Sequence, residues 1–221
     1  MKGIHIIDTA DGSHSLFHEA LNETYHSRHG AIQESSHVFL KNGYGHHQRT
    51  PISVLEYGFG TGLNALLTAV QADRMDRHTS YTTLEAFPLK RNITEAINYA
   101  EKVNHPQSHE WFKSLHELPW ERTEPVHDRF MLKKIHIPFE DFETDELFDL
   151  VYYDAFAPSR QPELWGKNML AKVCKLINSG GMFVTYSAMG QLKRDLKDLG
   201  LAVVTLEGPP GKKEMIRAVK P

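Results

Sequence analysis

Two short segments of this sequence hold residues whose types and spacing suit chemistry on a bound ligand. The first is Val54-Leu55-Glu56-Tyr57-Gly58-Phe59-Gly60-Thr61-Gly62, an apolar run followed by three alternating glycines. The second is Val151-Tyr152-Tyr153-Asp154-Ala155-Phe156-Ala157-Pro158, an apolar run that ends at an acid. Glycine permits positive φ and a close approach of the backbone to a ligand. Each segment therefore predicts a strand that ends at a binding site.

The glycine segment discriminates between classes of ligand. A helix beginning after Gly62 offers free N–H groups and positive dipole character to a carboxylate or a phosphate. A dinucleotide fold calls for Gly-x-Gly-x-x-Gly, whereas the glycines alternate here. Glu56 would repel a pyrophosphate and suits the cationic amino-acid end of S-adenosylmethionine. Glu85, at the end of the next predicted strand, suits ribose hydroxyls in either ligand, so the pattern favours a methyltransferase over a dinucleotide enzyme.

Asp154 is the candidate catalytic residue. Methyl transfer from a sulfonium needs an unprotonated nucleophile that is held in line with the methyl group. A carboxylate can accept a hydrogen bond from an amine, orient its lone pair and assist removal of its proton. Phe156 could stack on a planar acceptor such as a base. The alternative for Asp154 is an N-cap of a helix near Pro162.

The elements that must position these residues follow from the hydrophobic pattern. Strands are predicted at 52–57, 81–85, 130–137, 148–153, 182–187, 201–206 and 214–219, and helices at 63–71, 89–101, 162–177 and 190–199. Residues 108–128 are predicted to be irregular or helical. This alternation predicts a Rossmann-like α/β fold with a mostly parallel seven-stranded sheet and an antiparallel C-terminal hairpin.

Residues 1–50 are polar and rich in turns, and they predict a small N-terminal extension before a methyltransferase domain at 51–221. The turn cluster Asp8–Ser13 could join two strands of a hairpin. Short helices are predicted at Leu16–Glu23 and within 30–37. Residues 16–40 form a candidate lid over the ligand.

Composition narrows the class of protein. The chain has 221 residues, 40% of them hydrophobic, and a formal net charge of −3. This charge counts against a generally basic nucleic-acid binder, although a nucleic-acid substrate needs only a local basic patch. Cys174 is the single cysteine, so an internal disulfide is excluded, and no metal site is predicted. The sequence has no apolar run of membrane-spanning length and no signal-peptide pattern, which predicts a cytoplasmic protein with no membrane partner.

Several segments together resemble a known family across nearly the whole chain. They are Tyr25-His26-Ser27, Glu34 to Leu40, Glu56 to Asn64, Leu84 to Leu89, Asp154 to Pro158 with Pro162-Glu163-Leu164-Trp165, Thr185 to Ala188, and Gly208 to Met215. The sequence resembles the methyltransferase part of the bifunctional tRNA wobble-uridine enzyme of the MnmC type, which completes 5-methylaminomethyl-2-thiouridine. The glycine segment is common to many methyltransferases, whereas the Asp-Ala-Phe-Ala-Pro segment and the terminal Gly-Lys-Lys-Glu-Met segment are far more specific.

The resemblance implies an activity and a set of site residues. S-adenosylmethionine is the implied methyl donor, bound by Glu56, Gly58, Phe59, Gly60, Thr61, Gly62, Asn64, Glu85, Ala86 and Asp141, with Glu140 as the alternative to Asp141. The acceptor is the exocyclic aminomethyl nitrogen of a tRNA wobble uridine, beside Asp154. Substrate contacts are expected from Phe156, Ala157, Pro158, Ser187, Lys212 and Lys213.

Other activities stay open at this point. The flavin-dependent oxidase part of the bifunctional enzyme is not matched, so a separate upstream oxidase is a candidate partner. Methylation of a small-molecule or protein amine with the same donor is an alternative activity. A donor-binding partner protein without turnover is an alternative of another class, which Asp154 beside Phe156 and Pro158 disfavours.

Overall fold

A computed structural model describes residues 3–221, and within that range the regular structure comprises two sheets and seven α-helices. The strands are β1 (Ile4–Asp8), β2 (His14–His18), β3 (Glu23–Thr24), β4 (Ile52–Tyr57), β5 (Thr79–Glu85), β6 (Thr123–His127), β7 (Phe130–His136), β8 (Phe148–Tyr153), β9 (Ile177–Thr185), β10 (Ala202–Glu207) and β11 (Glu214–Val219). The α-helices are α1 (Ala31–Ser35), α2 (Leu63–Arg74), α3 (Arg91–Thr94), α4 (Tyr99–Lys102), α5 (Ser108–Glu117), α6 (Lys167–Lys175) and α7 (Gly190–Asp198). A π-helix spans Ser36–Tyr44, and 3-10 turns span Phe139–Asp141 and Pro162–Trp165.

The larger sheet positions the site. Its strand order is β10-β11-β9-β8-β4-β5-β7-β6, with β9, β8, β4, β5 and β7 parallel. The mostly parallel sheet and the antiparallel β10–β11 hairpin are confirmed. The chain winds outward in both directions from β4 and β8, which pair at Tyr57 and Tyr153. In open α/β sheets the carboxyl ends of strands at such a switch point form the binding crevice.

The sheet has eight strands rather than seven. The additional strand, β6, lies within 108–128, whose first part forms α5. It pairs antiparallel with β7 and contains Pro125 together with a register shift. Proline is tolerated there because an edge strand leaves one side without ladder hydrogen bonds. Because this strand contains a proline and exposed side chains, the hydrophobic pattern does not predict it.

The helix predicted at Leu16–Glu23 is wrong, because these residues lie in β2, β3 and the connection between them. Five residue pairs join β1 to β2, and their turn spans the predicted Asp8–Ser13 cluster. An isolated helix of this length is marginal, whereas the hairpin satisfies the backbone with a partner strand. The helix predicted at 89–101 is divided into α3 and α4, and that predicted at 162–177 is a 3-10 turn followed by α6.

The N-terminal segment packs directly on the larger sheet. Leu16, Val38, Phe39 and Tyr44 are at most 1% exposed and belong to one apolar cluster with residues of β4 and α2. The ring of Phe39 lies 5.0 Å from that of Tyr152 on β8. A second cluster covers the opposite face beneath α6 and α7. Because its core is shared with the sheet, the N-terminal segment is held in place above the strand ends.

Candidate active site

The loop between β4 and α2 depends on its glycines. Gly58, Gly60 and Gly62 have φ values of +103°, +50° and +76°, a region that side-chain-bearing residues rarely adopt. A Cβ at position 58 would lie 2.9 Å from the carbonyl oxygen of Asp154. The loop therefore rests directly on the end of β8, which brings the two segments singled out in the sequence into contact.

A cavity of about 830 Å³ lies at this edge of the sheet. Its floor comes from the strand ends and the glycine loop, and its roof comes from the N-terminal segment. The lining includes His18, Glu23, Tyr25, His26, Ser27, Glu34, Gly58, Phe59, Gly60, Thr61, Asn64, Glu85, Ala86, Phe87, Glu140, Asp154, Ala155, Phe156, Ala157, Tyr186 and Lys212. The volume suits a ligand of nucleoside size together with part of a second molecule.

One part of the cavity, here called the loop end, is formed by Gly58, Gly60, Asn64 and Glu85. The Glu85 carboxylate accepts hydrogen bonds from the N–H groups of Gly60 and Phe87, both at 2.8 Å. Burial raises the pKa of Glu85, although these two N–H groups oppose the shift. The carboxylate closes β5 beside the glycine loop, where it can meet hydroxyl groups of a ligand.

Asn64, in the first turn of α2, has an unused hydrogen-bonding atom. Its Nδ2 donates to Asp154 at 2.8 Å, whereas its buried Oδ1 has no hydrogen-bond partner. The Asn64 side chain also lies within hydrogen-bonding range of the buried Glu56 carboxyl, whose Oε1 likewise has no partner, so a protonated Glu56 is suited to donate to this oxygen. The three glycines, which allow a close backbone approach, and the Glu85 carboxylate make the loop end fit the amino-acid and ribose parts of S-adenosylmethionine.

Asp154 stands where the loop end meets the rest of the cavity. Its Oδ2 accepts the hydrogen bond from Asn64. Burial raises the pKa of Asp154 to about 7 and the charge of Glu34 contributes, whereas Asn64 and Lys212 act in the opposite direction. A carboxylate with this pKa can take up a proton near neutral pH and return it to solvent afterwards. The alternative role as a helix N-cap is not seen, since Gln161 precedes the 3-10 turn.

The other part of the cavity, here called the aromatic end, is formed by Tyr25, Phe156 and Tyr186. The rings of Tyr25 and Phe156 meet edge to face, with centroids 5.0 Å apart. The Trp165 indole N–H donates to the Phe156 carbonyl at 2.8 Å, and the Tyr186 hydroxyl donates to the Ala155 carbonyl at 2.8 Å. These bonds fix the loop after Asp154, so the ring faces are held ready for a planar acceptor.

Two aromatic residues of the N-terminal segment reach the cavity without having been predicted as site residues. His26 Nε2 lies 2.8 Å from the hydroxyl of Thr61, and burial lowers the pKa of His26 to about 4. This histidine is therefore neutral at pH 7 and ties the roof to the glycine loop. Tyr25 lies over the loop, because a Cβ at Gly60 would meet its ring at 3.3 Å. Both residues precede the loop by more than thirty positions, so no local spacing signals their place.

Glu56 lies beneath the glycine loop instead of facing the ligand. It is fully buried at the end of β4, and its Oε2 accepts a 2.7 Å hydrogen bond from the hydroxyl of Thr83. Burial raises the pKa of Glu56 to about 8, an effect that Thr83 opposes. The carboxyl is therefore largely protonated at pH 7 and does not present the negative charge that the sequence argument assumed.

Other predicted site residues also lie outside the cavity lining. Glu140 lines the cavity, whereas Asp141, at the end of the same 3-10 turn, does not. The remaining predicted residues outside the lining are Gly62, Pro158, Ser187 and Lys213. Within residues 3–221 no group of three histidine, cysteine or acidic residues could hold a metal ion. No helix of that range is long and apolar enough to cross a membrane.

Comparisons with known proteins agree with this geometry. The family model of S-adenosyl-L-methionine-dependent methyltransferases matches residues 101–221. The proteins named tRNA 5-methylaminomethyl-2-thiouridine biosynthesis bifunctional protein MnmC from Marinomonas sp. (strain MWYL1) and Pseudoalteromonas atlantica are each 28% identical, over 88% and 90% of this chain. Each match covers 31% of the relative, so the chain spans about a third of the length of these curated relatives.

Solved structures extend the match. The crystal structure of MNMC2 from Aquifex aeolicus is 27% identical, with a TM-score of 0.80 over 100% of this chain and 72% of that one. Spermidine synthase from Thermotoga maritima, 11% identical, shares the fold, with a TM-score of 0.58 over 99% of this chain and 70% of that one. The resemblance to MnmC-type methyltransferases is therefore confirmed. The chain belongs to the S-adenosyl-L-methionine-dependent methyltransferase family, and S-adenosyl-L-methionine is its methyl donor.

Proposed function

We propose that this enzyme methylates the exocyclic aminomethyl nitrogen of a tRNA wobble uridine, converting 5-aminomethyl-2-thiouridine to 5-methylaminomethyl-2-thiouridine. The observation that carries the proposal is the position of Asp154, between a loop end that fits the donor and an aromatic end that fits a base. The names of the relatives and of the Aquifex structure supply the acceptor class. The substrate is a proposal because this chain matches only part of those relatives.

The residues of the chain account for the chemistry around the transfer. The bound donor supplies an electrophilic methyl group on its sulfonium. Glu85 would hold the ribose, and the backbone of the glycine loop would receive the amino-acid part of the donor. Asp154 would accept the proton of the acceptor ammonium, freeing the nitrogen lone pair for in-line attack. We expect Asn64 to keep the Asp154 carboxylate oriented, since its amide already donates to Oδ2.

The aromatic end suits a uracil ring. Phe156 offers a ring face beside Asp154, and Ala157 leaves room along the same wall. Stacking of a base on an aromatic ring contributes about 1–3 kcal/mol. Pro158 and Ser187 follow the lining residues Ala157 and Tyr186 in the chain, and we propose that they shape this wall. We propose that residues 16–40 form the lid of the cavity, since Tyr25 lies over Gly60 and His26 contacts Thr61 of the glycine loop.

We propose that lysines of α7 and of the connection between β10 and β11 contact tRNA phosphates, although the net charge of the chain is −3. Lys212 lines the cavity, and Lys213 follows it in the connection between β10 and β11. Lys193 of α7 forms an ion pair with Glu214, the residue after Lys213, and its Nζ lies 2.6 Å from Glu214 Oε2. This ion pair places Lys193 next to the segment that contains Lys212 and Lys213, which supports phosphate contacts on this side. Binding through such contacts weakens with added salt.

Two wider proposals accompany this activity. The aminomethyl group must be exposed on the uridine before methyl transfer, so an upstream oxidase is the proposed partner. A tRNA substrate and this donor also imply a cytoplasmic location.

The deciding experiment measures transfer of labelled methyl groups to tRNA isolated from cells that lack this methylation step. We expect label in the wobble nucleoside after digestion, and none in tRNA that already carries the methyl group. Simple alkylamines and a lysine-rich protein serve as alternative acceptors. If the donor binds while tRNA stays unlabelled, the tRNA assignment is wrong, and labelling of the amines instead would support the alternative activity.

A further inference from the structure

A second buried acid, Glu34 of α1, faces the cavity near the aromatic end. Its side chain is only 9% exposed. One carboxylate oxygen accepts a 2.7 Å hydrogen bond from the backbone N–H of Ser27, and the other lies 2.7 Å from the ammonium of Lys212. The Ser27 contact holds the carboxylate in place independently of the lysine.

The ammonium of Lys212 marks a position built for a cation. It lies 3.8 Å from the centroid of the Tyr186 ring while it contacts Glu34. A carboxylate on one side and an aromatic face on the other are the two groups that bind alkylammonium ions. The Tyr186 hydroxyl is tied to the Ala155 carbonyl, so this ring face is fixed beside the residue that follows Asp154.

Lys212 is suited to leave this position. Its side chain is 34% exposed and extends from the connection between β10 and β11, whereas Glu34 is held by backbone on the inner side. The free-energy cost of returning the Lys212 ammonium to water is small, because a lysine ammonium is compact and strongly hydrated. An amine carried on a stacked base would take its place without leaving Glu34 unpaired.

We propose that Glu34 is a specificity-determining residue whose carboxylate, together with the ring of Tyr186, binds the protonated aminomethyl group of the acceptor in exchange for Lys212. This inference rests on the proposed function, since it concerns how that same acceptor is selected. The bound ammonium then transfers one proton to the carboxylate of Asp154. The nitrogen lone pair released in this way forms the new N–CH3 bond, and the donor sulfur keeps the electron pair of the broken S–CH3 bond.

The test compares two binding constants for each protein, measured with saturating S-adenosylhomocysteine. One probe is tRNA with 5-aminomethyl-2-thiouridine at the wobble position, and the other is the same tRNA with 2-thiouridine. Their ratio isolates the aminomethyl contact, because the phosphate contacts are common to both. We expect the wild type to prefer the aminomethyl tRNA by tenfold or more and Glu34→Gln to lose most of this preference. Glutamine retains an oxygen to accept the Ser27 N–H.

Glu23→Gln is the matched control, because Glu23 also lines the cavity but is paired with Arg160 at 3.7 Å. It should keep the wild-type ratio. Lys212→Met removes the competing ammonium and should raise the ratio severalfold, which provides an independent test if Glu34→Gln folds poorly. Any one of three results overturns the inference. The wild type shows no preference for the aminomethyl tRNA, Glu34→Gln has the same ratio as the control, or Lys212→Met has an unchanged or lower ratio. Failure of the proposed function is separate, because it would appear as wild-type enzyme that leaves the aminomethyl tRNA unmethylated.

Discussion

The loop end of the cavity is assembled from neighbouring segments, whereas the aromatic end is assembled from segments far apart in the chain. Gly58, Gly60 and Asn64 lie within one turn and the start of the next helix, and Glu85 ends the adjacent parallel strand. At the aromatic end, Glu34 and Lys212 are 178 residues apart yet form an ion pair. Donor binding is thus a local property of the fold, while acceptor binding needs the complete tertiary structure.

The two ends also differ in what makes each contact. The loop end relies on backbone geometry, since three glycines at positive φ allow close approach. The aromatic end relies on side chains, namely ring faces, carboxylates and an ammonium. Substitution at a glycine should therefore impair donor binding, whereas substitution of a side chain at the other end should impair only acceptor use.

The largest effect is expected where the two ends meet. Asp154→Asn keeps the shape and can still bond to Asn64 but cannot take up a proton. General base catalysis contributes 10²–10⁴-fold, so we expect kcat to fall about 10³-fold. Donor affinity, measured by calorimetry, should change by less than about threefold. A variant that keeps a tenth of wild-type turnover would rule out the proposed role of Asp154.

The next largest effect is expected at the loop end. Gly58→Ala places a Cβ 2.9 Å from the Asp154 carbonyl oxygen at a φ of +103°. Strain of about 1–3 kcal/mol should be relieved by a shift of the loop in the free protein and restored on donor binding, which should weaken donor binding roughly 10- to 100-fold. Gly166→Ala is the control, because φ there is −71° and a new Cβ would lie 3.8 Å from its nearest neighbour, the Glu163 carbonyl oxygen. Equal donor affinity in both variants would contradict the tight fit of the loop.

The same difference explains what the sequence could predict. The glycine spacing, the apolar runs of β4 and β8 and the acid that ends each of two strands are local features, and they predict that the glycine loop and Asp154 lie at neighbouring strand ends, where Tyr57 pairs with Tyr153. The alternation of strands and helices predicted a mostly parallel sheet with a C-terminal hairpin, but neither the strand order nor the eighth strand, β6. Glu56 was misplaced because an acid next to a glycine loop suggests exposure, whereas the central strand β4 is covered on both faces.

The aromatic end could not be assembled from the sequence in this way. Tyr25, His26 and Glu34 lie in a polar segment where the pattern indicated only turns and a short helix. Their place in the cavity depends on the β1–β2 hairpin and the π-helix packing on the sheet, and neither contact has a spacing rule. Tyr186 follows the interior strand β9, and Lys212 reaches the same point from the connection between β10 and β11. Only the family resemblance had singled out these segments, without giving most of these residues a role.

The pH profile sharpens the comparison, because charges of the aromatic end act on Asp154. With a pKa of about 7, the Asp154 carboxyl is protonated and inactive as a base at lower pH. We expect kcat/KM to fall about tenfold for each pH unit below 7 and to level off above it. Glu34→Gln removes a like charge, so it should lower the pKa of Asp154 and move the falling acidic side of the profile to lower pH. Lys212→Met removes a cation, so it should raise this pKa and move the acidic side to higher pH. If the acidic sides of the two variant profiles shift in the same direction, or do not shift, these charges do not act on Asp154.

The smallest effect is expected for two adjacent acids of the 3-10 turn Phe139–Asp141. Glu140 lines the cavity and Asp141 does not, although the sequence favoured Asp141 as the residue that contacts the donor. Glu140→Gln should weaken donor binding about three- to tenfold, the range for one hydrogen bond, whereas Asp141→Asn should leave it within twofold. Both substitutions keep the turn, because Lys172 bonds to the backbone carbonyl of Glu140 and the Asp141 N–H bonds to that of Pro138. The reverse order of effects would mean that this turn rearranges when the donor binds, and that the loop end is less preformed than its glycine geometry indicates.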